Sequence, residues 1–263
     1  MKIKGFFIKG QTYSWFRDDC QKCSQCSQCV SATGITANKL EYLLRIKGYR
    51  KVETEAMRKG KKLHEEMLKY YKTVDDYGIE DLRMDFLQGK LIRLSEVKVC
   101  SKLYGLRGII DLLSMQFNPK SQSVVFDILD IKPALNSKYI LQVATYGLIL
   151  SDPDFEICYK KKGKRKTKTL GKKLLPDVPV KITINLHIST PKKDHRIEFM
   201  RENSLTKRGA GYKSAILRKA KEKRKLHKVG LWLIPELDSR VKERQRFFGK
   251  RKLLVKSKPV IKL

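Results

Sequence analysis

The chain has 263 residues, 41% of them hydrophobic and 9% aromatic, enough to bury a core and too apolar for a wholly disordered chain. Its 59 Lys and Arg against 27 Asp and Glu leave a formal charge of +32, a surplus that asks for a polyanionic partner. The 33% of charged residues breaks every apolar run short of the ~20 residues of a membrane-spanning helix, and no GxxxxGK[ST] phosphate loop occurs. A helical membrane protein and a P-loop ATPase are therefore not expected.

The first ten residues carry three lysines and a short Ile/Phe cluster without the long apolar stretch of a secretory signal, so a cytoplasmic, reducing location is expected. Cys20, Cys23, Cys26 and Cys29 follow in a CxxCxxCxxC run, separated by Gln, Lys and Ser residues that give no hydrophobic reason for burial. Ligation explains them better than packing. Such spacing suits the loop around a [4Fe-4S] cluster, and four thiolates also suit Zn2+, so both cofactors stay open. Cys100 and Cys158 read as buried thiols.

From Thr54 to Lys72 the spacing of Met57, Leu63, Met67, Leu68 and Tyr71 predicts an amphipathic helix with Thr54 as N-cap and His64 on its inward face. Glu96 falls in a strand-like segment, Ile92–Val99, and reads as structural, with a water-bridged metal contact as the alternative. In a strand over Leu106–Phe117, alternation puts Arg107, Ile109, Asp111, Leu113 and Met115 on one face. An unpaired carboxylate there costs several kcal/mol, so Asp111 should be protonated, paired or bound to a cation. In the next strand Val124, Phe126, Ile128, Asp130 and Lys132 share a face, with Asp127 opposed. Pro133 ends that strand because it has no amide hydrogen to donate. A helix from Asn136 or Ser137 to Leu150 then aligns Tyr139, Gln142, Tyr146 and Ile149.

A histidine, two strand carboxylates, a lysine two positions after the second, and a Gln–Tyr helix pair are the parts that phosphodiester hydrolysis requires. Asp111 and Asp130 offer hard oxygen ligands for Mg2+ or Mn2+, and His64 tilts the choice toward Mn2+. Lys132 would stabilise developing charge.

The run from Gly60 to Leu150 resembles the PD-(D/E)XK nucleases of the RecB-like class, most closely the CRISPR-associated exonuclease family of the Cas-four type. The matching segments are Gly60-Lys61-Lys62-Leu63-His64, Leu106-Arg107-Gly108-Ile109-Ile110-Asp111, Asp130-Ile131-Lys132 and Gln142-Val143-Ala144-Thr145-Tyr146. The resemblance implies a metal-dependent DNA nuclease, usually exonucleolytic on single strands. It implies His64, Asp111, Asp130 and the carbonyl of Ile131 as metal ligands, Lys132 as the catalytic lysine, and Gln142 and Tyr146 as its neighbours. Asp130 stands where the family often has Glu. That family also places most cluster cysteines after the nuclease core, whereas this chain gathers them before it.

Residues 151–263 hold 34 basic and 11 acidic residues. Nine of the fourteen residues from Lys160 to Lys173 are Lys or Arg, which reads as a flexible basic loop presenting Lys160, Lys161, Lys162, Lys164, Arg165 and Lys166 to nucleic acid phosphates. Val180–Ile188 alternates as a half-exposed strand, Arg196–Met200 can pair with it, and Ser204 can cap a helix to about Lys228. The tail mixes Trp232, Phe247 and Phe248 with cations, which suits either base stacking or docking of a terminal helix.

The expected architecture is an α/β, restriction-endonuclease-like mixed sheet flanked by helices: a four-cysteine segment over 1–50, a nuclease core over 51–200 and a basic helical extension over 201–263. The expected partner is DNA, in single strands or at duplex ends. Two rival readings are a non-catalytic nucleic-acid-binding protein on a nuclease-like fold and a DNA-binding factor built on a four-cysteine zinc module.

Overall fold

The computed structural model describes residues 4–8, 11–15, 29–46, 49–51, 55–162 and 167–232. Thr54, three of the clustered cysteines (Cys20, Cys23 and Cys26), Lys164, Arg165, Lys166, Phe247 and Phe248 lie outside them. In chain order the first elements are β1 (Lys4–Ile8), β2 (Gln11–Trp15), β3 (Val30–Ser31), α1 (Ala32–Thr36), α2 (Lys39–Ile46), β4 (Tyr49–Lys51), α3 (Glu55–Leu68) and α4 (Ile79–Leu87). They are followed by β5 (Ile92–Ser101), β6 (Leu106–Asn118), β7 (Ser123–Ile131), α5 (Ser137–Leu150), β8 (Glu156–Lys162), β9 (Thr167–Lys173), β10 (Lys181–Ser189), β11 (Asp194–Arg201), β12 (Ser204–Leu205) and α6 (Lys207–Trp232).

The chain divides into two compact units. One comprises 1–18, 43–52 and 225–263, and its described strands β1, β2 and β4 form a three-stranded antiparallel sheet. The other comprises 19–42 and 53–224 and is a mixed α/β fold around an open sheet ordered β12-β11-β10-β7-β6-β5-β8-β9, with β3 added beside β6. Only β7–β10 and β3–β6 are parallel, so the sheet is mostly antiparallel. Cys29, β3 and α1 thus belong with the larger unit, as does α6 up to Arg224, which divides the segments 1–50 and 201–263 differently from the sequence expectation.

Helix α5 organises the larger unit. Asn136 caps it, its side chain accepting a hydrogen bond from Tyr139 N, and the eight residues Val143–Leu150 are all buried. A helix apolar over its whole last two turns must be covered on every side. Contacts with α1 and with β5, β6, β7, β10 and β11 supply that cover. Gly147 allows the approach: a Cβ there would stand 3.1 Å from Leu186 and Phe199. Each large apolar side chain buried in this layer contributes roughly 1.5–3 kcal/mol. Phe126 meets Phe155 edge to face at 5.5 Å, and Phe86 of α4 covers Phe117 of β6.

Three expectations change in the C-terminal half. The basic run over 160–173 is not a loop: its described parts form the antiparallel hairpin β8–β9, registered from Glu156↔Lys173 to Lys162↔Thr167. Ile157, Tyr159, Thr167, Thr169 and Leu170 supply the β-forming residues that the lysines conceal in a composition count. Ser204 does not cap α6, because it lies in β12 paired with Arg201 after a turn through positive-φ Glu202 and Asn203. Thr206 caps instead, its Oγ1 accepting from Gly209 N at 3.1 Å, and the helix continues to Trp232. Alternation along β10 holds as read, with Ile182, Ile184, Leu186 and Ile188 buried.

Helix α6 is tied down by its own cations. Lys223, 5% exposed, donates from Nζ to Ala37 O at 2.6 Å and lies 5.0 Å from the Tyr42 ring. Arg224 donates to Tyr104 O. Among the described residues no helix is long and apolar enough to cross a membrane.

Candidate active site

Strand register assembles the site. In the β5–β6 ladder Ser95 pairs Leu112 and Val97 pairs Ile110, which sets Glu96 across from Asp111. In the β6–β7 ladder Leu112 pairs Leu129, and one further step along the same register sets Asp111 across from Asp130. Three acidic residues therefore form a row across three adjacent strands. Helix α3 brings His64 over that row, with Nε2 3.2 Å from Asp111 Oδ2 and Nδ1 4.0 Å from Glu96 Oε1. Lys132, one residue past β7, turns its ammonium back to 2.8 Å from Asp130 Oδ2 and 3.8 Å from Asp111 Oδ2. The two aspartates expected from the sequence thus face one cation from adjacent strands.

Burial differs sharply along the row. Asp130 is fully buried, Asp111 and Lys132 are 17% and 15% exposed, and Glu96 is 64% exposed. Among the described residues the close cation of Asp130 is Lys132, at 2.8 Å from Oδ2, and Oδ1 is buried without a partner. Desolvation pushes the Asp130 carboxyl up to about 7, the nearby Asp111 charge adds to this, and Lys132 offsets part of it. Asp111 is better served, since Ile131 N–H donates to its Oδ2 at 3.2 Å. It is through this amide that the structure links Ile131 to the site.

Gln142 and Tyr146, one turn apart on α5, form the far wall. Gln142 Nε2 donates to Tyr146 Oη at 2.8 Å, and burial, reinforced by the Asp130 charge, raises the phenol well above its ordinary value. Tyr139 lies 5.5 Å from the Lys132 ammonium, ring centroid to Nζ.

The face read for β6 is covered at one end only. Arg107 and Ile109 are exposed while Leu113 and Met115 are buried, and Leu112 and Leu113 are both buried in succession. Opposite, Ser95 follows buried Leu94 and is itself buried. Burial passes from one face to the other at the paired steps Leu94–Ser95 and Leu112–Leu113 with the register unbroken, and next to them Glu96 adopts φ 51°, a left-handed conformation uncommon for a residue with a side chain. The helix around His64 is also shorter than expected, ending at Leu68, though His64 keeps its half-buried place.

Two contributors carried no distinct signal in the sequence. A Cβ on Gly108 would stand 2.5 Å from Tyr146 Cε1, so the glycine makes room for the Tyr146 ring. Glu96 reads from the sequence chiefly as structural, and its register sets it at the end of the acidic row. The opposed phase of Asp127 is as read: it is held by Asn185 Nδ2 at 2.9 Å and His187 Nε2 at 3.5 Å, and the His187 hydrogen bond keeps its carboxyl below the ordinary range against the opposite pull of burial.

Of the nucleic-acid candidates, Lys160, Lys161 and Lys162 lie on β8, and Lys164, Arg165 and Lys166 fall outside the described residues. Cys29, half-buried, precedes β3, where Val30 N donates to Gly105 O, and is the one member of its motif among the described residues. Cys100 and Cys158 approach to 3.3 Å, Sγ to Sγ, across β5 and β8.

No three His, Cys, Asp or Glu side chains among the described residues already close around a single point as a metal cluster. His64 and Lys132 instead engage the carboxylates from two sides. The donor chemistry still suits a hard divalent cation: two carboxylates on adjacent strands, one of them buried with an unsatisfied oxygen, beside an imidazole. The chain matches no known protein family and no curated protein.

Proposed function

We propose that this protein is a divalent-metal-dependent DNA nuclease on a restriction-endonuclease-like sheet, acting as an exonuclease on single strands or duplex ends. The observation that supports it most is Asp130, a fully buried carboxylate whose close cationic neighbour is the Lys132 ammonium at 2.8 Å, set beside Asp111 and His64. Such a group is costly without a cation, and Lys132 alone leaves it imperfectly compensated. His64, Asp111 and Asp130 would hold Mg2+ or Mn2+, with the Ile131 carbonyl as a further oxygen donor.

The cation supplies Lewis-acid polarisation of the scissile phosphodiester. Lys132 carries the chemistry of the chain itself. Its ammonium, 2.8 Å from Asp130 and 3.8 Å from Asp111, would stabilise the charge that develops on the phosphate oxygens. The Tyr139 ring limits how far that ammonium travels. Tyr146, kept protonated by burial and fixed by Gln142, closes the wall behind the carboxylates. The cations of the β8–β9 hairpin and of α6 hold the phosphate backbone.

The test is cleavage of end-labelled single- and double-stranded DNA with Mg2+ or Mn2+ by the wild type and by Asp111→Asn, Asp130→Asn, Lys132→Ala and His64→Ala. Each substitution is expected to lower the rate by at least about 100-fold, the scale of removing one charge-stabilising group. Cleavage that survives chelation or all four changes would overturn the proposal. DNA binding without cleavage by the wild type would favour the non-catalytic reading.

A further inference from the structure

We infer that Glu96 is a positioning residue for the metal-binding imidazole: its carboxylate holds the Nδ1–H of His64 and so directs the Nε2 lone pair into the acidic row. The inference rests on the nuclease reading above and deepens it. Two independent observations carry it. Geometrically, His64 stands between two carboxylates, with Nδ1 toward Glu96 at 4.0 Å and Nε2 toward Asp111 at 3.2 Å. A hydrogen bond requires the exposed Glu96 carboxylate to come about 1 Å nearer to Nδ1. Conformationally, Glu96 holds φ 51° within a ten-residue strand whose register with β6 is the same on both sides of it. Glycine would take that conformation without strain, yet the chain has a glutamate there. Strain retained beside a cluster of ionisable groups points to a task for the side chain.

A neutral imidazole carries one proton, on either nitrogen, and can ligate only through the other. With nothing at Nδ1 the two tautomers interconvert and the ring is free to turn. A carboxylate at Nδ1 fixes the proton there, aims Nε2 at the cation and raises its basicity. Residues that hold a ligand histidine in this way typically influence metal affinity about 10- to 100-fold.

The experiment measures Mn2+ binding by calorimetry, the His64 imidazole nitrogens by NMR and stability by urea unfolding, for the wild type, His64→Ala, Glu96→Gln and Glu96→Gly. Glu96→Gly is expected to weaken Mn2+ binding about 10-fold or more and to leave His64 as a mixture of tautomers. Its fold should be no less stable, because glycine relieves the positive φ. Glu96→Gln should lose less affinity, since its amide oxygen can still accept from Nδ1–H. Wild-type Mn2+ affinity in Glu96→Gly, with affinity lost in His64→Ala, would overturn the positioning role and leave the nuclease reading standing. Unchanged Mn2+ binding in His64→Ala would remove His64 from the metal site, and this inference with it.

Discussion

Asp130→Asn should stabilise the metal-free protein at alkaline pH while destroying its function. Burial raises the folded-state value of this carboxyl from 3.8 to about 7. The folded protein therefore retains a proton that the unfolded chain releases, and stability falls as pH rises through that window. Roughly three pH units at about 1.4 kcal/mol each amount to about 4 kcal/mol, all of it lost by pH 8. Between pH 5 and pH 8 the wild type should lose about 2 to 3 kcal/mol relative to Asp130→Asn, whose neutral amide imitates the protonated acid at every pH. Urea unfolding of both proteins in EDTA at the two pH values measures the difference directly. Addition of Mn2+ at pH 8 should restore the wild type and leave the variant unchanged. A gap between the proteins that does not widen with pH would refute the reasoning, because the burial of Asp130 would then carry no electrostatic cost.

Gly108→Ala should displace the buried Tyr146 ring and lower stability by about 1–3 kcal/mol, the usual cost of overpacking, as read from thermal melts. Unchanged melting would show that the Tyr146 wall is soft. Lys223→Ala removes the ammonium bound to Ala37 O and should cost about 1–3 kcal/mol in urea unfolding, whereas an effect within experimental error would make that tie idle. Arg218→Glu or Lys221→Glu, both exposed on α6, should weaken DNA binding most at low salt and reduce the slope of log affinity against log salt by about one. An unchanged slope would take that surface of the helix out of the interface.

Sequence legibility followed the locality of the physics. The ends of α5 were readable because Pro133 stops a strand and Asn136 caps a helix through bonds a few residues apart. Alternation in β10 was readable because a strand with one buried face leaves a period of two. The closeness of Lys132 and Asp130 followed from the same period. Which end of the β6 face is covered was not readable, since Arg107 and Ile109 stay exposed while Leu113 and Met115 are buried by other elements, and alternation alone does not say where a covering layer stops. Nor was the β8–β9 hairpin, where lysines with long aliphatic stems sit in a ladder yet look like solvated coil. Ser204 and Thr206 are equally good caps by residue type. Only the pairing of Ser204 in β12 decides between them.

An open sheet ends in two rows of unspent amides and carbonyls, each an invitation to another chain. Here one border, β12, is two residues long, and the other, β9, spans Thr167–Lys173 with lysines at 168, 172 and 173. A stub offers too few bonds to recruit a neighbour, and on the other border Lys172 and Lys173 hold carboxylates of Glu80 and Asp154, setting charged pairs where another strand would have to dock. Replacing those lysines with threonine or valine would remove that charged cover and favour edge-to-edge association.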